Sequence, residues 1–381
     1  MNQLIALDLA GGPAFLTALQ RIWERGDAVL PVDQRLPQPA KETLLRALRP
    51  ATVVGPDGEG TPQPDSVPTM PGDAVVVATS GTTGEPKGVI LTHAALMASA
   101  LASSHHLKID TGRDSWYGCL PVAHIGGFSV VTKALLTGTR LTLTAGFVAE
   151  DCDRAAENHT LVSLVTTAFA RVRSGPWRVI LLGGSAMPEN LPGNVVRTYG
   201  LTETGSGLVY DGWPVDSAEI RCVDGEIHVR GPMLSRAYRS RTPEGIDVRI
   251  RDGWLSTGDG GFIDDSGRLR VFGRLGDVIV TGGEKVWPDA VERALGNLAT
   301  VREVAVAGRP DPEWGHRVVA WVVPGDPAEA PTLDSVRDHV KRTLPAYAAP
   351  RELVLVTHLP RTAIGKVQRA HLPWPDSDPR T

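Results

Sequence analysis

The sequence predicts a layered α/β protein: a large α/β part with a β-rich section, followed by a small α+β part. Three observations carry this. Through roughly the first half of the chain, short β-branched runs alternate with stretches of helical spacing. From Gly225 the texture changes to short strands punctuated by Gly and Asp, the pattern of antiparallel hairpins. After Gly283 helical and strand patterns alternate again. The 381 residues give room for a sizeable core and more than one domain.

In order along the chain, "AFLTALQRIWERG" has helical spacing and stops at Gly26, "DAVLPV" follows as a strand, and "KETLLRAL" reads as a second helix. "GPDGEGTPQPDSVPTMPGD" is a Pro/Gly-rich linker without periodicity. "AVVVAT" and "GVILT" read as strands on either side of a polar loop, and "HAALMASALASSHH" as the helix after them. Further strands are expected at Arg140–Thr144, Leu161–Val165 and Val179–Leu182. "GEIHVRG" through "GDVIVTGG" supplies the hairpin series. "WPDAVERALGNL", "REVAVAGRPD", "RVVAWVVP", "LDSVRDHVKRTL" and "RELVLVTHLP" form the last part. The boundary falls near Arg274–Asp277, giving 1–274, 275–370 and a disordered tail at 371–381.

Composition excludes several function classes. A net charge of −4 makes no electrostatic bid for nucleic acid or an anionic membrane surface. No apolar stretch is long enough to span a bilayer, and the N-terminus lacks the basic flank of a signal peptide. The cysteines Cys119, Cys152 and Cys222 are scattered, so neither a disulfide framework nor a zinc site is expected, and a reducing cytoplasm is the default location. A homodimer is left open.

The most informative stretch is "TSGTTGEPKG", Thr79–Gly88. Ser80, Thr82, Thr83 and Lys87 supply hydroxyls and a cation, while Gly81 and Gly84 let backbone N–H groups converge on an anion. It is not a Walker A loop, because Lys87 lies between Pro86 and Gly88 and the loop joins two strands rather than a strand and a helix. Alone, such a cluster is more often a surface turn than a polyphosphate site.

It is not alone. "TSGTTGEPKG" resembles the phosphate-loop signature of the adenylate-forming superfamily, which includes acyl-CoA synthetases, peptide-synthetase adenylation domains and luciferases. "LPVAHIGG" (120–127), "LLGGSAMP" (181–188), "YGLTET" (199–204), "GWLSTGD" (253–259), "GRLGDVIVTGGEKVWPDAVE" (273–292) and "PRTAIGKVQR" (360–369) match successive motifs of that superfamily in its order. The resemblance implies the adenylate-forming fold, with a large N-terminal domain and a small, mobile C-terminal one. It also implies a two-step reaction: a carboxylate attacks the α-phosphate of ATP, then a thiol, usually coenzyme A, displaces AMP.

That chemistry needs positioning and charge neutralisation more than acid–base catalysis. By resemblance, Thr79–Lys87 would hold the β- and γ-phosphates, Thr202 the α-phosphate, and Glu203 a Mg²⁺. Tyr199 with Gly200 would cover the adenine, and Gly183, Gly184 and Ser185 would approach the base and the adenylate. Asp259 and Arg274 would reach the ribose. Lys366 would bridge the incoming carboxylate and the α-phosphate. Gly276 occupies the hinge position, where the family usually carries Asp or Lys.

For the acid, the region before the phosphate loop is shorter than in typical long-chain acyl-CoA synthetases, and His124 in "PVAHIGGFSV" lies where aryl-acid ligases often carry a pocket histidine. The stretch around "VYDG" (209–212), with the terminal "LPAYAAPRELVLVTHLPRTAIGKVQRA", resembles the compact o-succinylbenzoate–CoA ligases of actinobacterial menaquinone synthesis. His124, Gly127, Ser206 and Tyr210 would then face the acid. This acid carries a second carboxylate, which needs a partner when desolvated. Arg171, Arg173 and Arg197 all remain candidates. Another aryl- or short acyl-CoA ligase, a secondary-metabolite adenylating enzyme using a carrier-protein thiol, and a non-enzymatic nucleotide binder are the alternatives.

Overall fold

The computed structural model describes residues 1–80, 86–184, 190–239, 250–361 and 367–374. Its strands form four sheets. The first has seven strands in the spatial order Ala237–Arg239, Pro86–Thr92, Asp73–Ser80, Ala28–Pro31, Leu4–Leu7, Thr52–Val54 and Gly60–Pro62. Leu4–Leu7 and Ala28–Pro31 pair in parallel and are buried throughout, as central strands covered on both faces must be. Helix Pro13–Glu24 opens with proline in its first turn and turns Phe15, Leu19 and Ile22 onto this sheet's core. The two β-branched runs flanking the polar loop form the expected hairpin, with Thr79 opposite Lys87 and Ser80 opposite Pro86. Thr92 then caps helix His93–His106, its hydroxyl accepting the Ala95 N–H at 3.1 Å.

The second sheet runs Trp213–Pro214, Ser206–Tyr210, Val195–Leu201, Val179–Gly183, Leu161–Val165, Ser115–Gly118 and Arg140–Leu143. Helix Ile125–Thr137 joins the two sheets. Phe128 and Val131 enter the core of the first, Val130 and Ala134 that of the second. A helix buried on both sides must be apolar nearly all round, and "IGGFSVVTKALLT" is so except at Lys133.

The third sheet is the Gly/Asp-punctuated hairpin series, antiparallel from Glu219–Val223 to Leu269–Arg274. A 3-10 turn at Leu275–Asp277 leads out of it. The fourth sheet follows, built on Val301–Asp311 and Gly315–Pro324, and covered by helices Pro288–Gly296 and Leu333–Lys341 through Val291, Leu295, Val336 and Val340. Trp287 spans the gap between third and fourth sheets. Its ring packs on Phe272, centroids 5.2 Å apart, and fills the notch left by the missing side chain of Gly260.

Two expectations fail. The linker contains a strand, Gly60–Pro62, because the sheet edge offers Thr52–Val54 as a partner for even three residues. The chain end is packed as far as Trp374: Leu372 is buried, Trp374 meets Trp321 edge-on at 4.7 Å, and the Trp321 indole donates to the Pro373 carbonyl at 2.7 Å. Residues 375–381 of the expected tail lie outside the described residues. Among the described residues no helix is long and apolar enough to cross a membrane.

A Cβ at Gly260 would lie 2.1 Å from a Trp287 ring carbon, so the Gly260→Ala chain has to expel a rigid ring. Its unfolding free energy is expected to fall by about 1–3 kcal/mol. Gly296→Ala, with nothing within 4 Å, is expected to melt like the parent in the same denaturant titration.

Candidate active site

The polar ends of the first two sheets and the N-terminal turn of helix Ile125–Thr137 enclose a cavity of about 1470 Å³. Thr79, His124, Gly127, Gly183, Gly184, Gly200, Thr202, Ser206 and Tyr210 all line it. Thus residues spread over more than 130 positions of sequence converge on one space. Lys87, Tyr199, Glu203, Asp259, Arg274 and Gly276 do not line it. Gly81, Thr82, Thr83, Gly84, Ser185 and Lys366 lie outside the described residues, as does the side chain of Ser80.

Gly200, Leu201, Thr202 and Ser206 form one wall of the cavity. Strand Val195–Leu201 pairs antiparallel with Ser206–Tyr210, with a register shift at Tyr199/Gly200. The 3-10 turn Thr202–Thr204 joins them, closed by the Thr204 hydroxyl, which accepts the Leu201 N–H at 2.9 Å. This presents Thr202 to the cavity and turns Glu203 away from it. The Tyr238 hydroxyl donates to Glu203 Oε1 at 2.7 Å, leaving Oε2 without a partner among the described residues.

A second cluster lies one residue from the cavity wall. Asp259, 7 % exposed, accepts the Tyr199 hydroxyl at 2.9 Å on Oδ2 and forms an ion pair with Arg274, Nε lying 3.0 Å from Oδ1. Arg274 also donates to the Thr257 carbonyl at 3.0 Å. Burial pushes the Tyr199 phenol well above its ordinary range, and the Asp259 charge adds to this. Gly276 sits in the turn Leu275–Asp277 with open space around its Cα and no left-handed φ.

At the other end, Lys133 is buried to 1 % exposure and reaches the cavity. Its ammonium nitrogen donates to the Ser206 hydroxyl, and no carboxylate pairs with it among the described residues. Burial pushes its pKa down to about 7. Tyr210 closes this end. Its hydroxyl donates to the Gly207 carbonyl at 3.1 Å, His106 stacks on its ring at 5.0 Å, and burial pushes the phenol up to about 12, so it stays a neutral donor. Of the arginines considered, Arg171 lines the cavity beside the Phe147 ring; Arg173 is 67 % exposed and pairs with Asp153; Arg197 lies outside the lining. Sequence reasoning missed Lys133, although a lone lysine in an otherwise apolar helix was a usable signal.

His124 precedes the same helix. Its Nε2 lies 2.9 Å from Asp33 Oδ2, and Arg35 holds the same carboxylate through Nε at 2.9 Å and Nη2 at 2.7 Å. Burial pushes the Asp33 carboxyl up, but His124 and Arg35 outweigh it and hold it well below the usual carboxylate range.

With this geometry in place, comparison with known proteins is direct. Residues 55–239 match the model of the AMP-binding enzyme family, and 290–366 that of the AMP-binding enzyme C-terminal domain. A probable 2-succinylbenzoate–CoA ligase of Mycobacterium tuberculosis is 38% identical over 396 residues, covering 96% of this chain and 97% of that protein. The chain belongs to the AMP-binding enzyme family. A 2-succinylbenzoate–CoA ligase of Listeria monocytogenes is 33% identical, covering 78% of this chain and 69% of its own. Among solved structures, the o-succinylbenzoate CoA synthetase of Bacillus subtilis with its acyl-adenylate OSB-AMP superposes with a TM-score of 0.84 at 26% identity, over 97% of this chain and 87% of that one. The same Bacillus enzyme with ATP and magnesium gives 0.83 over 97% and 89%. This AMP-binding enzyme therefore has the adenylate-forming fold expected from its motifs.

Gly127 lets the cavity wall form. A Cβ there would lie 2.3 Å from the Pro121 carbonyl oxygen and 2.5 Å from that of Leu120, both backbone atoms. Gly127→Ala is expected to lose about 1–3 kcal/mol of stability. Gly126→Ala, whose nearest neighbour is a leucine methyl at 3.6 Å, is expected to stay near the parent in the same thermal melt.

Proposed function

We infer that this chain is an ATP-dependent, AMP-forming acid–CoA ligase whose acid is o-succinylbenzoate, acting in menaquinone biosynthesis. The observation that carries the reading is a single cavity lined by Thr79, Gly183, Gly184 and Thr202 towards the nucleotide and by the buried pair Lys133–Ser206 towards the acid. A carboxylate oxygen of the acid attacks the α-phosphorus of ATP. An acyl–O–P bond forms and the bond to pyrophosphate breaks. The sulfur of coenzyme A then attacks the acyl carbon, and AMP leaves. Consumption of ATP and coenzyme A supports a cytoplasmic location.

The residues divide the work as follows. Thr79, Ser80, Gly81, Thr82, Thr83, Gly84 and Lys87 take the β- and γ-phosphates, and Thr202 takes the α-phosphate. Asp259, already oriented by Tyr199 and Arg274, accepts from the ribose hydroxyls. Gly200 and Ser185 flank the base and adenylate, and Lys366 stabilises the charge that builds between the carboxylate and the α-phosphate. The open Oε2 of Glu203 fits a hard cation, so Glu203 would hold Mg²⁺, which supplies charge neutralisation at the phosphates. Residues 1–274 bind nucleotide and acid, 275–370 carry Lys366, and Gly276 is the pivot between them.

Lys133 answers the question of the second carboxylate. A lysine held near pKa 7 by burial is about half neutral in the free enzyme at neutral pH, and a bound carboxylate restores its charge. The sign follows. Below pH 7 the ammonium is present and no proton need be recruited; above it, binding must also take up a proton, so the acid KM rises about tenfold per pH unit until the pH passes the lysine's pKa in the bound complex.

In a pyrophosphate-release assay over o-succinylbenzoate, benzoate, salicylate, medium-chain fatty acids and amino acids, o-succinylbenzoate is expected to give the dominant turnover. Lys366→Ala abolishes it. Lys133→Met raises the o-succinylbenzoate KM at least tenfold and flattens its rise above pH 7, while the ATP KM stays within a factor of about two. A different preferred acid overturns the substrate assignment; pyrophosphate release unaffected by Lys366→Ala overturns the mechanism.

A further inference from the structure

Asp33 belongs to no motif that pointed to the site, yet it lies at the cavity wall and is 6 % exposed. It leaves the end of strand Ala28–Pro31 and meets His124, 91 positions later, at the entrance to helix Ile125–Thr137. We propose that Asp33 is a positioning residue for the acid end of the cavity, fixing the imidazole of His124 in one orientation and one tautomer, with Arg35 locking the carboxylate that does so. The inference rests on the acid-ligase reading for its functional consequence, but not for its chemistry.

The chemistry follows from donors and acceptors. An ionised carboxylate only accepts hydrogen bonds, so the imidazole nitrogen 2.9 Å from Asp33 Oδ2 carries the proton. Arg35 Nη2 donates to the same oxygen at 2.7 Å, which explains why it also lies 3.1 Å from His124 Nε2: two donors share one acceptor. Nδ1 is left as the ring's remaining polar atom, without a partner among the described residues. Arg35 Nε and the Arg35 backbone N–H both donate to Oδ1, at 2.9 and 3.0 Å. The carboxylate is therefore held from three sides and cannot swing away from His124 without breaking a bidentate pair. The other groups facing it add no competing charge: Gln34 donates to Asp8 and to the Val32 carbonyl, and Lys41 pairs with Asp8.

Without Asp33 the ring loses the one acceptor it has among the described residues, and Arg35, no longer neutralised, crowds it. Both changes degrade the wall against which the acid is placed, not the nucleotide end. A misplaced wall group costs roughly tenfold or more in use of the acid.

The test is a double-mutant cycle in the pyrophosphate assay, with Asp33→Ala and Asp33→Asn made alone and in the His124→Ala background. Asp33→Ala is expected to raise the acid KM roughly tenfold with the ATP KM unchanged. Asp33→Asn, whose amide oxygen still accepts from Nε2–H, is expected to recover part of that loss. In the His124→Ala background Asp33→Ala is expected to add less than about twofold. Equal losses in both backgrounds, or equal rises in the acid and ATP KM values, overturn the proposal in favour of a structural role. Imidazole nitrogen shifts in the ¹⁵N-histidine-labelled protein provide a reading that needs no turnover. His124 is expected to show protonated Nε2 in the parent and mixed tautomers in Asp33→Ala. The same shifts in both overturn the proposal. If the parent turns over no acid in the panel, the ligase reading fails and these shifts alone decide the role of Asp33.

Discussion

Burying one ammonium in an apolar helix is the constraint on which the rest of the site depends. Lys133 lies among side chains that join two sheet cores, with a single hydroxyl, that of Ser206, as its polar contact among the described residues. Unpaired burial of a charge is so costly that the group gives up its proton instead, and burial indeed pushes Lys133 down to about 7. The linkage sign is unfavourable to the empty enzyme. A lysine whose folded pKa is depressed stabilises nothing by being buried; between pH 7 and its ordinary value the unfolded chain holds the extra proton, so stability rises with pH across that window and is lowest below it. Under the proposed function, a ligand anion in the cavity that Lys133 lines would restore its charge.

The opposite solution appears at Asp259, which the proposed function assigns to the ribose. There the carboxylate of Asp259 is satisfied before any ligand arrives, by Tyr199 and Arg274. These two contacts fix its orientation. Thr202 and Glu203 share one 3-10 turn but face different ways, one into the cavity and one towards Tyr238. Polar groups are thus of two kinds: Asp259 and Glu203, held by neighbours beside the cavity, and Lys133, which lines it with one hydroxyl as its polar contact among the described residues.

Much of this was legible in the sequence because it is local. The hairpin around the polar loop follows from two β-branched runs, and helix His93–His106 from the run "HAALMASALASSHH". What escaped was non-local or marginal. Strand Gly60–Pro62 exists only because a neighbouring edge accepts it, and Trp374 is ordered only because Trp321 receives it. Lys133 was hidden by the apolar spacing of its own helix. Asp33 has no local signal: its meaning depends on the parallel packing that carries its strand end to His124. Trp287 and Gly260 are a matched bulge and notch that neither residue reveals alone.

The central claim is that Lys133 gains a proton when the proposed dicarboxylate binds. Calorimetric titration of the acid into the enzyme with AMP at pH 8, in buffers of different ionisation enthalpy, measures that proton directly. Uptake approaching one proton per site in the parent, and none in Lys133→Met, is the predicted result. Binding without proton uptake, or the same uptake in the variant, would contradict it.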